Sequence, residues 1–563
     1  MTRVRMRALA AAVVVGILSF ALAACAGLPT SGPVNPGVRI ADDGDANDFA
    51  FIPKGPVKDA TPQQIVEGFI AAGTGPSNNW ETAQQFLAPG FRGTWKPQAG
   101  VTVYSAGQRT LQQVSTGEFL LSVTPVATVD AAGELSTAPD DGAIPLSFKL
   151  AQQSDGQWRI TQAPDGIVLD QTRFTTVFDV YSLMYFDPTW TYLVPDVRWF
   201  PRYYAATDIA EALVDGAPAA WLRGAVVSAF TDGARLELTS VPRQSNVAQV
   251  TLQDGARALD QVALNRMQTQ LEASLKTADI TGVDMLLPGG QPLTAQAVDV
   301  RSTAVASNPL VRTATAFGFA SGTTISPIGG LSDALMSVDA TDIEVNADRT
   351  TAAVRDASGA VVAVHADQPL RRLDTRSGLI APSIDPSGYI WSVPSGAPSA
   401  VNAYAPDGTV VQVGGAWSGA SQILAQRVSR DGTRLAAVVR DGDRYVVWVA
   451  GIQRDRNGAP TSIGTPEKVL ETLPGPASAL TWLDASTLGV LATDGSDEFL
   501  DTLTVGGFAA TVRTPGNSRA VAGQTKDARL LDASGELYAQ RVANWQQILG
   551  DVTVLAVQQG VPR

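Results

Sequence analysis

Asp385-Pro386-Ser387-Gly388-Tyr389-Ile390-Trp391 is a turn that runs straight into a short apolar strand, and the phrase returns further along the chain. It reappears as Arg430-Asp431-Gly432 before Leu435 to Val439 and as Asp532-Ala533-Ser534-Gly535 before Leu537, with weaker copies at Asp348 and Asp484. Aspartate caps such a turn with its side chain and glycine supplies a positive φ, so the repeat has a mechanical cause. Spacings of roughly 37 to 53 residues suit one four-stranded blade. A second hairpin turn follows in most copies, at Asp356-Ala357-Ser358-Gly359, Asp407-Gly408 and Asp441-Gly442. We read residues 321–563 as an all-β propeller of five to six blades, an architecture that leaves only short, protected strand edges. Two stacked sandwiches, the competing arrangement, would not produce a persistent period of blade length.

Upstream of the repeat the pattern is α+β. Within residues 173–320, Thr175 to Tyr181 and Leu193 to Arg198 read as strands. A helix that Asp208 and Glu211 can cap carries Ala212, Leu213 and Val214 and closes at Gly216. A longer helix gathers Leu264, Met267, Leu271, Leu275 and Ala278 on one face. This order, with Val194-Pro195-Asp196-Val197-Arg198, the Ala-Leu-Val-Asp-Gly of residues 212 to 216 and Gln270-Leu271, resembles a GerMN domain. Residues 57–172 open with Thr61 as helix cap, Pro62 at the first helical position and Gln64 completing a capping box. Ile65, Val66, Phe69 and Ile70 then share a face, and a short helix is expected from Glu81 to Leu87. Val101 to Tyr104, Phe119 to Val126, Ile144 to Leu150 and Gln157 to Ile160 follow as strands of a curved antiparallel sheet. Helices first and a sheet after resembles the NTF2 or cystatin type of domain.

Residues 25–56 are rich in Gly, Pro, Ser and Asp and read as a flexible linker. Asp43, Asp45 and Asn47 have the spacing of a calcium loop, but Asp48 and Lys54 stand where that loop needs Gly and Glu, so no metal is expected there. Residues 1–24 have the layout of a signal peptide: Arg3, Arg5 and Arg7, then the apolar run Ala8 to Phe20. The run is short for a spanning helix, which needs about 20 apolar residues, and it ends in Gly27, Pro29 and Gly32. Leu22-Ala23-Ala24-Cys25 resembles the bacterial lipobox, and Cys25 is the only cysteine in the chain. The resemblance implies cleavage before Cys25, an S-diacylglycerol on its thiol and an N-palmitoyl group on the new amino terminus. That would place the protein at the cell membrane, lipid-anchored on the extracytoplasmic face. Plain secretion after cleavage at Ala24 is the alternative; it would leave an unpaired thiol at the terminus.

Losing the three leader arginines takes the formal charge from −13 to −16, which opposes nucleic acid and anionic headgroups. His365 is the sole histidine and sits in the strand Val361 to His365, so sites with several histidines are excluded. No G-x-S-x-G elbow or phosphate-cradling G-x-x-x-x-G-K-[ST] loop occurs, and Gly73-Thr74-Gly75 lacks the third glycine of a dinucleotide fingerprint. We therefore expect no catalytic residue, metal or cofactor. Trp190, Tyr192, Trp199, Tyr203, Tyr204 and Trp221 concentrate aromatic surface in one region, as junction packing or as a platform for glycan or peptide.

The mature start Cys25-Ala26-Gly27-Leu28-Pro29-Thr30-Ser31-Gly32-Pro33-Val34, together with this domain order, resembles the actinobacterial LpqB lipoprotein family along essentially the whole chain. The resemblance implies an accessory role to the MtrAB two-component system, through the extracytoplasmic domain of the sensor kinase MtrB, with influence on cell-wall homeostasis and division. The alternatives are a module binding cell-wall glycan or peptide and, third, a propeller hydrolase.

Overall fold

The computed structural model describes residues 53–562 apart from 139–141, 232–233, 239, 465–467 and 525–526. Its first unit is built as the capping box dictates. Thr61 accepts from the Gln64 N–H while the Gln64 side chain accepts from the Thr61 N–H, and the helix Pro62–Ala72 buries Ile65, Val66, Phe69 and Ile70. The helix lies against a sheet ordered 158–162, 144–152, 118–130, 100–115 and 167–170, antiparallel except that Val101 to Tyr104 pair in parallel with Ile167 to Asp170. Register shifts between Gly100–Ser115 and Glu118–Asp130 supply the curvature, since a bulge bends and twists its strand. The expected second helix is instead Ser77–Gln84, entered through left-handed backbone at Asn78, Asn79 and Trp80, with Pro89–Arg92 as a further turn.

The middle unit is α+β. Phe178–Phe186 and Leu193–Pro201 form a hairpin in register from Phe178↔Pro201 to Phe186↔Leu193. Val247–Thr251 and Gly282–Leu287 pair in parallel, joined through the helix Gln261–Leu275, which Asp260 caps. That helix buries Leu264, Met267, Leu271 and Leu275, and also Gln268, Gln270 and Ser274, which bond backbone at Val283, Ala229 and Met184. Two local expectations are corrected. Thr175 to Val177 belong to the helix Gln171–Val177, because the Asp170 carboxylate accepts from the Arg173 N–H and caps it, so the strand starts only at Phe178. Asp208 and Glu211 cap nothing: both lie inside the helix Ala205–Val214, whose N-terminus has no side-chain cap.

The propeller is a ring of six blades among the described residues. Four are separate sheets with innermost strands Ser383–Ile384, Gln422–Val428, Ala477–Trp482 and Ser518–Gln524. The other two share an eight-stranded sheet, in which Ala340–Val345 and Val554–Gln558 meet in parallel at Glu344↔Val557 and Val345↔Gln558. Counting from Ala340, that gives blades 1 to 6. Blade 6 is split: Val554–Gln558 is its inner strand, while Leu310–Arg312, Phe317–Ser321 and Thr324–Ser326 form the rest. The propeller therefore begins at Leu310, and a boundary at 321 falls inside the closing blade.

The turn phrase has the predicted cause. Asp385 Oδ1 accepts from the N–H groups of Ser387 and Tyr389, Asp356 Oδ1 from Ser358 and Ala360, and Asp532 Oδ1 from Ser534 and Glu536. Gly388 sits at φ +83° in such a turn. The copies differ in place, however. Asp385, Asp431 and Asp484 join the first and second strands of their blades, whereas Asp532, like Asp356, joins the second and third.

Candidate functional site

Leu22, Ala23, Ala24 and Cys25, with the Asp43, Asp45 and Asn47 cluster, lie outside the described residues. His365 is half-buried, and its Nδ1 lies 3.1 Å from Thr351 Oγ1 on the neighbouring strand. Burial, aided by Arg371, holds its pKa below the usual histidine range, and no acidic residue bonds its ring among the described residues. On the innermost strand of blade 1 the Glu344 carboxylate is bonded through Oε1 alone, while Oε2 is buried without a hydrogen bond among the described residues and faces Arg427. Oε1 accepts from Ser383 Oγ at 2.7 Å, the Ile384 N–H at 2.9 Å and the Gln559 side chain, and Arg427 Nε lies 3.4 Å from Oε2.

The aromatic residues separate into two groups. Trp199, Trp221 and Tyr192 are buried, while Tyr203 is 53% exposed and Trp190 is partly exposed under the Arg266 guanidinium, 3.8 Å from its ring centroid. A platform built on Trp199 is excluded. Trp199 is instead where all three units meet: its N–H donates to Gly133 O of the N-terminal unit at 2.8 Å, its ring packs on Phe174 and on Phe508 of blade 4, and its Nε1 donates to Gly506 O at 2.9 Å.

Beside it lies an ionic junction that sequence pattern did not announce. Asp196 and Arg198, two apart on one strand, point the same way and are 1% and 2% exposed. Arg198 donates Nε and Nη2 to the two Asp196 oxygens at 2.9 and 2.7 Å, and Nη1 to Ala132 O of the N-terminal unit at 2.8 Å. Asp196 accepts in turn from the Ala219 N–H at 2.8 Å. Lys468 Nζ reaches from blade 3 to Leu135 O at 3.0 Å. Burial pushes the Glu134 carboxyl above the usual carboxylate range and the Lys468 ammonium below its own, each partly opposed by its charged neighbours. Elsewhere Arg301 in the connector pairs with Asp348 of the propeller, and Gly451 lets blade 3 approach so closely that a Cβ there would stand 2.8 Å from Trp221 O.

A space of about 10 Å³ lies between Phe69, Trp95, Phe148 and Ile167 of the N-terminal unit. A cleft of about 760 Å³ lies between that unit and the middle one. Its floor is Phe178 and Arg198 to Pro201, and one wall is Asp130 to Gly133 with Trp80. The other wall is the face of Ala205–Val214 and its continuation that bears Asp208, Glu211 and Asp215, spaced three and four residues apart so that they align. Burial, with the Glu211 charge adding to it, pushes the Asp208 carboxyl up to about 7. Asp215 lies 3.6 Å from Arg235. No group of three or more His, Cys, Asp or Glu residues able to hold a metal ion occurs among the described residues.

Together these features define a class: a multidomain protein in which two α+β units are fastened to the flank of a C-terminal six-bladed propeller. Residues 55–175 match the family described as Lipoprotein LpqB, N-terminal domain, and residues 309–555 match the Lipoprotein LpqB beta-propeller domain. Lipoprotein LpqB of Rhodococcus jostii (strain RHA1) is 27% identical over 529 residues, covering 87% of this chain and 86% of its own length. The Rhodococcus opacus (strain B4) protein is 27% identical over 531 residues, covering 88% and 86%. That of Streptomyces avermitilis is 30% identical over 299 residues, covering 50% and 48%. The chain belongs to the LpqB lipoprotein family. No helix among the described residues is long and apolar enough to cross a membrane.

Proposed function

We propose that this protein acts by binding rather than turnover, as a lipid-anchored accessory to a sensor kinase of the MtrB type. On this reading Cys25 carries the S-diacylglycerol and N-palmitoyl groups, and residues 26–56 tether the body on the extracytoplasmic face. One chain anchors marginally and two or more hold firmly, at about 0.8 kcal/mol per buried methylene. The supporting observation is the junction at Arg198 and Trp199, which makes three domains one body. A partner that grips such a body at two places is held at a fixed separation. A scaffold shifts a kinase between states only if it binds one of them more tightly, and a rigid spacing supplies that difference.

The test is co-purification of the mature protein with the kinase's extracytoplasmic domain, followed by phosphotransfer in reconstituted membranes. Association at micromolar concentration that changes kinase output supports the reading; no association at that concentration refutes it. Cys25→Ala tests the anchor separately: the variant is expected in the soluble fraction, and full retention in the membrane would show that another element holds it.

A further inference from the structure

One turn of the N-terminal unit is held from two sides at once. Between Asp130 and Leu135 it offers three carbonyls to its neighbours. Ala132 O accepts from Arg198 Nη1 at 2.8 Å, Gly133 O from the Trp199 N–H at 2.8 Å and Leu135 O from Lys468 Nζ at 3.0 Å. The fit needs glycine at its centre: Gly133 sits at φ +81°, and a Cβ there would stand 2.8 Å from the Phe200 ring. Asp130 shapes the turn by accepting from the N–H groups of Ala132 and Glu134.

Glu134 lies in the middle of this contact, and no hydrogen bond replaces the water its carboxylate loses. Its nearest cation is Arg198, whose Nη2 stands 3.5 Å away but donates to Asp196, and among the described residues the carboxylate accepts no hydrogen bond. Lys468 likewise gives its bond to Leu135 O. The charged and titratable groups that face Glu134 are Asp130 on its own turn, Asp196, Arg198 and Tyr185 of the middle unit, and Lys468 of blade 3. Asp130 and Asp196 balance Arg198 and Lys468, so an ionised Glu134 leaves the cluster one negative charge in excess and a protonated one leaves it neutral. Dehydration acts in the same direction and holds the carboxyl above the usual carboxylate range. When the turn lifts from its seat, the carboxylate regains water and its ordinary proton affinity.

We propose that this turn is a proton-linked latch: seating the N-terminal unit on the middle unit and blade 3 takes up a proton at Glu134, so the three units hold together more firmly as the surroundings acidify. The sign follows from the proton affinity, which is higher in the seated turn than in the free one. The contribution is full below the ordinary carboxyl range and is lost as the pH rises through the seated value. Lys468, whose ammonium burial holds below its own range, acts in the opposite sense and only on the alkaline side. The inference concerns the body itself and needs no partner, so it stands apart from the kinase reading.

The experiment is hydrogen exchange of the full chain, read by mass spectrometry between about pH 5 and about pH 7 and corrected for the intrinsic pH dependence of exchange. The Trp199 N–H reports the latch, because its bond to Gly133 O breaks when the turn lifts, and the amides of Arg434–Asp441, paired on both sides within blade 3, report opening of the propeller. Protection at Trp199 relative to those amides is expected to rise about threefold or more on acidification. Glu134→Gln, which cannot carry the charge, is expected to show the acid level of protection at both ends of the range. Glu118→Gln, in the same unit but paired with Lys149 on its exposed sheet, is expected to keep the dependence. Glu134→Ala repeats the test if the glutamine variant melts early. Protection that stays level or falls on acidification, or an unchanged pH dependence once Glu134 is neutral, overturns the proposal.

Discussion

Arg198→Met removes the guanidinium at the centre of the three-domain junction while keeping an apolar side chain of similar length. What it leaves behind sets the cost. Asp196, 1% exposed, keeps only the Ala219 N–H, the Ala132 carbonyl loses its donor, and Glu134 loses the positive charge 3.5 Å away. Breaking a buried pair from one side costs about 3–5 kcal/mol, because a charge remains without compensation, and at this depth solvent screening gives little relief. Replacing both partners, Asp196→Asn with Arg198→Met, should recover much of that. Calorimetry reads the result and also tests whether the body is one unit. At about 2.1 cal/mol/K per residue, roughly 510 residues melting together turn about 4 kcal/mol into a fall of about 4 °C in Tm. If the middle unit of roughly 130 residues melted alone, the same loss would lower its transition by about 15 °C. A single transition shifted by a few degrees is expected. A cost below about 1 kcal/mol, or a separate transition for the middle unit in the parent protein, would refute the reasoning.

Trp199→Ala should cost about 3–5 kcal/mol, the usual loss for a buried tryptophan, and Trp199→Phe much less, giving up chiefly the bond to Gly506; urea unfolding checks both. Asp208 adds a pH term whose sign is set by its raised pKa. The folded state holds a proton that the unfolded chain releases near pH 4, so this contribution is full below about pH 4 and is lost as the pH rises through about 7. Asp208→Asn should therefore flatten the fall in Tm between pH 5 and pH 8, and a variant that steepened it would contradict the assignment. Gly388→Ala forces a side chain into φ +83° and brings its Cβ within 3.0 Å of Pro406, so about 1–2 kcal/mol should be lost; no change in urea midpoint would mean the turn relaxes freely.

The propeller was legible because its signal is local. A carboxylate two and four residues ahead of the amides it caps, followed by glycine, is complete within five residues. The same economy explains the one misplacement: Asp532 looks like Asp385 because both make that turn, although they occupy different corners of a blade. Blade 6 escaped because its strands come from opposite ends of the domain. The helix Gln171–Val177 rests on the single cap at Asp170, whereas the β-branched run Thr175-Thr176-Val177 has the local pattern of a strand. The candidate site was hidden for a different reason. Asp208, Glu211 and Asp215 are legible as one helical face, yet their meaning depends on Asp130 to Gly133, far away in the chain. Arg198 likewise takes its role from a distant partner, the carbonyl of Ala132 in the N-terminal unit.

The way blade 6 is closed governs how the molecule comes into being. Thr553 bonds Arg312 across 241 residues, so a chain emerging from its N-terminus has finished five blades' worth of sequence before the clasp is synthesised. Drawing such a loop shut costs about 5 kcal/mol of chain entropy, borne at the last step of assembly and recovered only when Val554–Gln558 docks. Amide exchange along those five residues should therefore track the opening of the whole circle, not the fraying of one edge.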